Sequence, residues 1–335
     1  MLDEKQATPP SEYCFTQKKD LSLPYHNRQK QLDMAVENND IMYGKLKDKY
    51  IDPFTDFGFK RLFGEECNKD LLLDFLNELL HKKEGKIVSL TYLKNEMPGV
   101  SEEARKAVFD IHCENEKGEK FIVEIQKTKQ TFFKDRTLYY STFPITRQAI
   151  PGDWSFELKA VYTIAILNFV FDEGKNDPDK YRYDVMLTDI ATRQIFYDKL
   201  TFIYLEMPKF TKKVEELETH FEKWMYVIKN LKRLDNIPDK LREKIFEKMF
   251  SVAEIAKLSQ AEYLAYVDSL NSYRDLQNSI DTAKAEGKAE GKAEGLAEGK
   301  AEMALKMLAD GMSVEIVSRY SGLSQAQIEQ LRQEI

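Results

Sequence analysis

The sequence has little of what disulfide and zinc scaffolds need. Among 335 residues there are three cysteines, Cys14, Cys67 and Cys113, and four histidines. No two cysteines form a C-x-x-C pair, so neither a disulfide framework nor a structural zinc site is expected. The scattered histidines argue equally against a histidine-rich metal centre. A long apolar run is also missing. The longest, Val161 to Val170, is broken by Asn168 and falls short of the roughly 20 residues that span a bilayer. The N-terminus is polar and lacks the apolar stretch of a secretory leader, so a cytoplasmic protein with no membrane partner is the expectation. No phosphate-cradling loop and no Ser-His-Asp or Cys-His arrangement stands out. Excess positive charge is absent too, with 50 Lys and Arg against 57 Asp and Glu, a net charge of −7. Such a chain does not coat nucleic acid. A local basic cleft stays open, because phosphate responds to the field at the site.

What is present is enough apolar residue to build a core. Hydrophobic residues make up 42% and charged residues 32%, which suits one large domain with appendages, or a few small ones. Residues 1–45 are polar and aperiodic and read as a loosely ordered arm. The aromatic-dense segment Tyr50 to Gly64 turns helical, and Leu72, Leu73, Phe75, Leu76, Leu79 and Leu80 have helical spacing up to a break at Gly85. Ile87 to Leu93 reads as a strand and Glu96-Met97-Pro98-Gly99 as a turn. Phe132 to about Ile150 reads as a helix interrupted or kinked at Pro144. Val161 to Phe169 reads as a strand buried on both faces, with further strands at Tyr181 to Leu187 and Thr201 to Leu205. Together these predict a mixed α/β sheet flanked by helices over residues 46–210.

The remainder reads as helical. Residues 211–281 carry helices split near Asn236-Ile237-Pro238 and near Ser251. Residues 282–302 repeat Ala-Glu-Gly-Lys, where each glycine in a helix costs about 1 kcal/mol relative to alanine and like charges recur at i, i+4. A weak helix or a flexible linker is expected. Residues 303–335 predict short helices around Ser321-Gly322-Leu323, with Ser313 and Ser324 as caps. That layout is helix-turn-helix-like. Its last helix carries several glutamines but only Arg332 as a cation, so DNA contact and a small dimerisation unit both stay open.

The chemistry concentrates between Phe109 and Tyr140. Val108 to Ile111 and Phe121 to Ile125 read as paired strands joined by a turn at Lys117-Gly118, each with one acid inside an apolar run. Alternation puts Glu124 and Gln126 on one face and Ile125 on the other. If Asp110 pairs onto the Glu124 face, the two carboxylates converge on one hard cation. The Ile125 carbonyl and waters would complete near-octahedral Mg²⁺ coordination. Lys127, Lys129, Lys134 and Arg136 follow with only Asp135 opposing them, and Tyr139 and Tyr140 come next. This is a cleft composition for phosphate. The plainer alternative is that strand acids are simply solvated.

The order D-x13-E-x-Q followed by an aromatic, basic helix resembles the PD-(D/E)XK nuclease superfamily, and more closely the Rpn family of recombination-promoting nucleases, also described as transposases. The matching pieces are D-P-F-T-D-F-G-F-K-R-L-F-G at 52–64, L-L-L-D-F-L-N-E-L-L at 71–80, V-E-I-Q at 123–126, and R-T-L-Y-Y-S at 136–141 with Gln148. F-I-Y-L-E-M-P-K-F at 202–210 and the Glu-Gly-Lys-rich repeat complete the set. The resemblance implies a restriction-endonuclease-like fold with an all-helical C-terminal extension. It also implies a Mg²⁺-dependent (or Mn²⁺-dependent) endonuclease acting on double-stranded DNA, working as a homodimer in recombination or mobile-element chemistry. Asp110 and Glu124 match the metal-binding acids, while Gln126 stands where the superfamily carries lysine. A neutral amide supplies no charge, so Arg136 or Lys60 would provide the cation, and Lys127 is expected on the opposite face. Asp56 is either a third acid or a helix cap. Lys60, Lys127, Lys129, Arg136 and Tyr140 are the phosphate-contact candidates. Glu206 and Lys209 are expected to be structural. The competing reading is a DNA-binding or dimerising protein of weak or no activity that retains the nuclease fold.

Overall fold

The computed structural model describes residues 46–98 and 106–333, so the expectation for residues 1–45 lies outside the described residues. The chain divides into two compact units at Tyr273/Arg274. The first is built on a six-stranded mixed sheet. Its strands are β1 (Leu90–Tyr92), β4 (Ile111–Asn115), β5 (Lys120–Gln126), β6 (Val161–Leu167), β7 (Arg182–Thr188) and β8 (Ile195–Glu206), in the order β1-β4-β5-β6-β8-β7. A two-stranded pair, β2 (Glu96–Met97) with β3 (Ala107–Val108), sits apart from it. The central strands β5, β6 and β8 run parallel, and antiparallel neighbours close both edges.

Helix α1 (Asp56–Phe63) opens the fold and α2 (Lys69–Glu84) follows it. Leu71, Leu72, Phe75 and Leu76 of α2 join a core with Phe121, Val123 and Ile125 of β5, Tyr162, Ile164 and Ile166 of β6, and Ile203 and Leu205 of β8. The other face is covered by α3 (Phe133–Thr146), the crossover between the parallel strands β5 and β6. Phe133 packs there with Ala165, Leu167, Phe202 and Tyr204, and Phe143 with Ile122. Thr137 Oγ1 lies 2.8 Å from Tyr204 Oη, a buried hydrogen bond that fixes the height of α3 on the sheet. Every residue of β6 is buried, as a strand covered on both faces requires.

Elsewhere the structure corrects the sequence reading. Asp110 is not inside a strand: β3 ends at Val108, β4 starts at Ile111, and Asp110 occupies the bend between them. Glu96-Met97 is a short strand rather than a turn. Helix α3 passes through Pro144 and ends at Thr146. The helix tolerates the proline although its nitrogen has no proton for the Tyr140 carbonyl one turn back. Gln148 lies beyond that helix, where its amide brackets the Lys159 backbone, accepting from the N–H at 2.7 Å and donating to the carbonyl at 3.2 Å. It holds the entry to β6. The helices α4 (His220–Asn230) and α5 (Lys244–Ala253) and residues 260–273 of α6 (Gln260–Ala309) finish the first unit. The split expected near Ser251 falls after Ala253.

In the second unit the Ala-Glu-Gly-Lys block is helical throughout as part of α6. Ala304, Val317 and Ile328 form a small core with α7 (Val314–Ser321) and α8 (Gln325–Gln333). Gly322 takes φ of 71° at the end of α7, a left-handed conformation that glycine adopts without strain. Ser324 and Gln327 cap α8 reciprocally, at 3.3 and 2.9 Å. No helix among the described residues is long and apolar enough to cross a membrane.

Candidate active site

The entry motif is mainly a scaffold for α1. Asp52 Oδ1 accepts from the Phe54 N–H at 2.9 Å, and Thr55 Oγ1 caps α1 by accepting from the Gly58 N–H at 3.0 Å. A Cβ on Gly58 would sit 2.1 Å from the Asp52 carbonyl oxygen, so only glycine fits beneath this loop. Thr55, not Asp56, is therefore the cap. Asp56 is exposed and paired with Lys60 at 3.0 Å one helical turn away.

Asp110 faces Glu124 directly. Ile111 pairs with Val123, and one further step of that antiparallel register puts Asp110 opposite Glu124. The Asp110 N–H donates to Glu124 Oε1 at 3.2 Å, and the Ile125 N–H donates to Asp110 Oδ2 at 2.8 Å. Glu124 is only 5% exposed. Burial, reinforced by the neighbouring Asp110 carboxylate, pushes the Glu124 carboxyl up to about 8 against the pull of Arg136. Burial raises Asp110 as well. Asp56 adds to that rise, while the Ile125 N–H, Lys60 and Lys127 oppose it. A cation bound between these adjoining acids would offset the cost of their charge.

The oxygens suit a hard divalent ion. In an extended strand a residue's N–H and C=O point the same way and neighbouring residues point oppositely. The Ile125 N–H meets Asp110, so its carbonyl faces the acids. The Gln126 carbonyl is turned toward β6, where it accepts from the Asn168 N–H at 2.9 Å. Asp110, Glu124 and the Ile125 carbonyl thus give an all-oxygen donor set, the kind that Mg²⁺ takes with several waters. No cluster of three or more His, Cys, Asp or Glu suited to a metal occurs among the described residues. Two carboxylates and a carbonyl leave most of the coordination to water or substrate.

Gln126 is fully engaged. Its Oε1 accepts from Arg136 Nη2 at 2.7 Å and its Nε2 donates to the Thr128 carbonyl at 2.9 Å. Arg136 also donates through Nη1 to Gln130 Oε1 at 2.7 Å and approaches Glu124 Oε2 at 3.8 Å. Its guanidinium lies 5.0 Å from the Phe133 ring centre and 5.6 Å from that of Tyr140. Tyr140 is braced edge-on against Phe109. The amide in the lysine position therefore holds an arginine from α3 beside the acids.

The other basic candidates separate. Lys129 pairs with Asp172, and Lys134 with Glu173 at 2.8 Å, both on the surface. Lys127 lies one residue beyond the end of β5, so strand alternation no longer decides its direction. Its charge lowers the proton affinity of the Asp110 carboxyl. Among the described residues it has no carboxylate partner. Its ammonium lies 5.8 Å from the Tyr273 ring centre instead. Glu206 is fully buried, accepting from the Phe171 N–H at 2.6 Å and pairing with Lys209 at 2.8 Å. These two tie the end of β8 to the segment after β6. Sequence reasoning missed Gln130, Thr128, Asn168 and Tyr273. Only Asn168 left a local signal, as the polar break in the longest apolar run.

Residues 53–283 match the model of the PD-(D/E)XK nuclease family transposases. Residues 297–333 match the C-terminal HTH domain of the Rpn/YhgA-like nuclease family. No curated protein and no solved structure matches the chain. With a restriction-endonuclease-like α/β fold, and a family match that covers most of its length, this chain belongs to the PD-(D/E)XK nuclease family transposases and ends in an Rpn-type helix-turn-helix domain.

Proposed function

We propose that the chain is a divalent-metal-dependent endonuclease that hydrolyses phosphodiester bonds in double-stranded DNA, with Mg²⁺ as the working ion and Mn²⁺ as a substitute. The observation that carries this reading is the opposition of half-buried Asp110 and buried Glu124 beside the Ile125 carbonyl. When bound, the ion supplies a water of lowered pKa and neutralises charge building on the phosphate. Asp110, Glu124 and the Ile125 carbonyl hold it. Arg136, fixed by Gln126 and Gln130, offers a guanidinium to a phosphate oxygen. Lys60, Lys127 and Lys129 add positive field, and Tyr140 and Phe133 keep Arg136 oriented. In the reaction a water oxygen bonds to phosphorus and gives up a proton to solvent, one P–O bond breaks, and the departing oxygen takes a proton from solvent. Asp56 enters as a modulator of Lys60 and Asp110 rather than as a third ligand. Action in the cytoplasm, as a homodimer serving recombination or mobile DNA, completes the reading, since cutting both strands calls for two such sites.

The test is nicking of supercoiled plasmid with Mg²⁺ or Mn²⁺. Cleavage by the wild type that is lost in Asp110→Ala and Glu124→Ala supports the proposal. No cleavage, or cleavage that survives both substitutions, sinks it. A second reading, a DNA-binding protein without turnover, is favoured by one observation: Gln126 brings neither charge nor a titratable group to the lysine position. It requires DNA binding that persists in EDTA and depends on residues 303–335.

A further inference from the structure

Four of the cations downstream of or beside the acids are already engaged. Lys60 is paired with Asp56, Lys129 with Asp172 and Lys134 with Glu173, while Arg136 is held by Gln126 and Gln130. Lys127 differs. It is half-buried, directly follows the β5 segment carrying Glu124 and Gln126, and has no carboxylate partner among the described residues. What restrains it is an aromatic face. The Tyr273 ring centre lies 5.8 Å from its ammonium, within the range of cation–π attraction. That ring is itself fixed: Asn168 Nδ2 donates to Tyr273 Oη at 3.1 Å, and the Asn168 N–H donates to the Gln126 carbonyl at 2.9 Å. Tyr273, Asn168 and Gln126 therefore form one chain of contacts that starts and ends at the β5 terminus.

We propose that Lys127 supplies the cation absent from the Gln126 position and that Tyr273, on α6, is a positioning residue acting through it. An ammonium is a compact charge on a flexible stem that samples many positions. Holding it on a fixed ring removes the rotamer search at the moment charge builds on the phosphate, which is what preorganisation requires. A ring face also leaves the ammonium's hydrogens available, whereas a carboxylate partner would neutralise them. The proposal rests on the endonuclease reading above.

The experiment is steady-state plasmid nicking by the full chain carrying Tyr273→Leu, Tyr273→Phe, Lys127→Met and the double change Tyr273→Leu/Lys127→Met. Each protein's melting temperature is recorded alongside. Tyr273→Leu should lower kcat by roughly fivefold to tenfold with little change in KM for DNA, between the exposed and the desolvated values of a cation–π contact. Tyr273→Phe keeps the ring and should stay within about threefold of wild type. In the Lys127→Met background, Tyr273→Leu should cost nothing further, because a residue acting through Lys127 has nothing left to position. Independent losses that multiply in the double variant overturn the proposal, as does a Tyr273→Leu enzyme with wild-type kcat. Should Tyr273→Leu melt below the assay temperature, Tyr273→Met carries the same cycle. A wild type that does not nick DNA overturns the endonuclease reading and this one together. Nicking by wild type with additive variants overturns this one alone.

Discussion

Glu124→Gln should make the metal-free protein more stable near pH 8 while abolishing cleavage. The substitution keeps the side chain's size and leaves an oxygen to accept the Asp110 N–H, now 3.2 Å from Glu124 Oε1. It removes a carboxylate that burial and Asp110 push from an ordinary 4.5 to about 8. The sign follows from proton counting. Between those pH values the folded chain binds more protons than the unfolded chain, so stability is fully present below about 4.5 and is lost as pH rises toward 8. At about 1.36 kcal/mol per tenfold in proton affinity, the loss is on the order of a few kcal/mol, shared with the coupled Asp110 carboxyl. Urea unfolding in EDTA at pH 5, 6, 7 and 8 measures it. The wild type should lose stability steadily across that series, the variant much less, and saturating Mg²⁺ should restore the wild type alone, since binding to the folded state stabilises it. Parallel pH profiles for the two proteins would show that the acids are not held in costly proximity.

Arg136→Lys keeps the charge but not the fork shared by Gln126 and Gln130, so cleavage should fall by roughly tenfold or more with little change in melting temperature; unchanged kcat would refute the role. Gly58→Ala drives a Cβ to 2.1 Å from the Asp52 carbonyl and should destabilise the first unit by about 2–4 kcal/mol in denaturant titration. By contrast, alanine at Gly287, Gly291, Gly295 and Gly299, which have nothing within 4 Å, should raise helicity by circular dichroism, each gaining about 1 kcal/mol. A tolerated Gly58→Ala would mean that the loop is not packed as described. His220 lies 2.7 Å from Asp74 and 3.0 Å from Glu243, and its bond to Asp74 raises its proton affinity. That stabilisation is present below the usual histidine range and is lost as pH rises through the raised folded value. His220→Gln should therefore cost about 1 kcal/mol at pH 6 and markedly less at pH 9 by urea midpoints; equal costs at both would refute it.

The elements that could be read directly are those whose partners are nearby in sequence or whose pattern repeats. Val123 to Gln126 alternates, so Glu124 and Gln126 were legible as face-mates, and the run from Val161 was legible as a strand buried twice over. The apolar spacing of 72–80 marked α2. What stayed hidden depends on distant packing. The bend at Asp110 exists because Phe109 leaves the sheet, its N–H donating to the Asn95 carbonyl at 2.8 Å. Nothing local to Val108-Phe109-Asp110-Ile111 announces that departure. Tyr273 lies 146 residues beyond Lys127 in the chain, and no periodicity links them. Glycine cost left the repeat open between weak helix and linker, and its neighbours of good helix propensity, alanine, glutamate and lysine, decide for helix.

With Gln126 clamping Arg136, part of the site's positive charge rides on α3 rather than on the sheet. Its coordinate relative to the acids is then a packing variable. It depends on how Phe133 seats among Phe171 and Tyr204 and on the Thr137–Tyr204 hydrogen bond. Changes in that hydrophobic layer, far from any phosphate, would slide the charge along the helix's line of contact. Turnover and melting temperature should drift independently as they do so. A nuclease built this way can be detuned from its core.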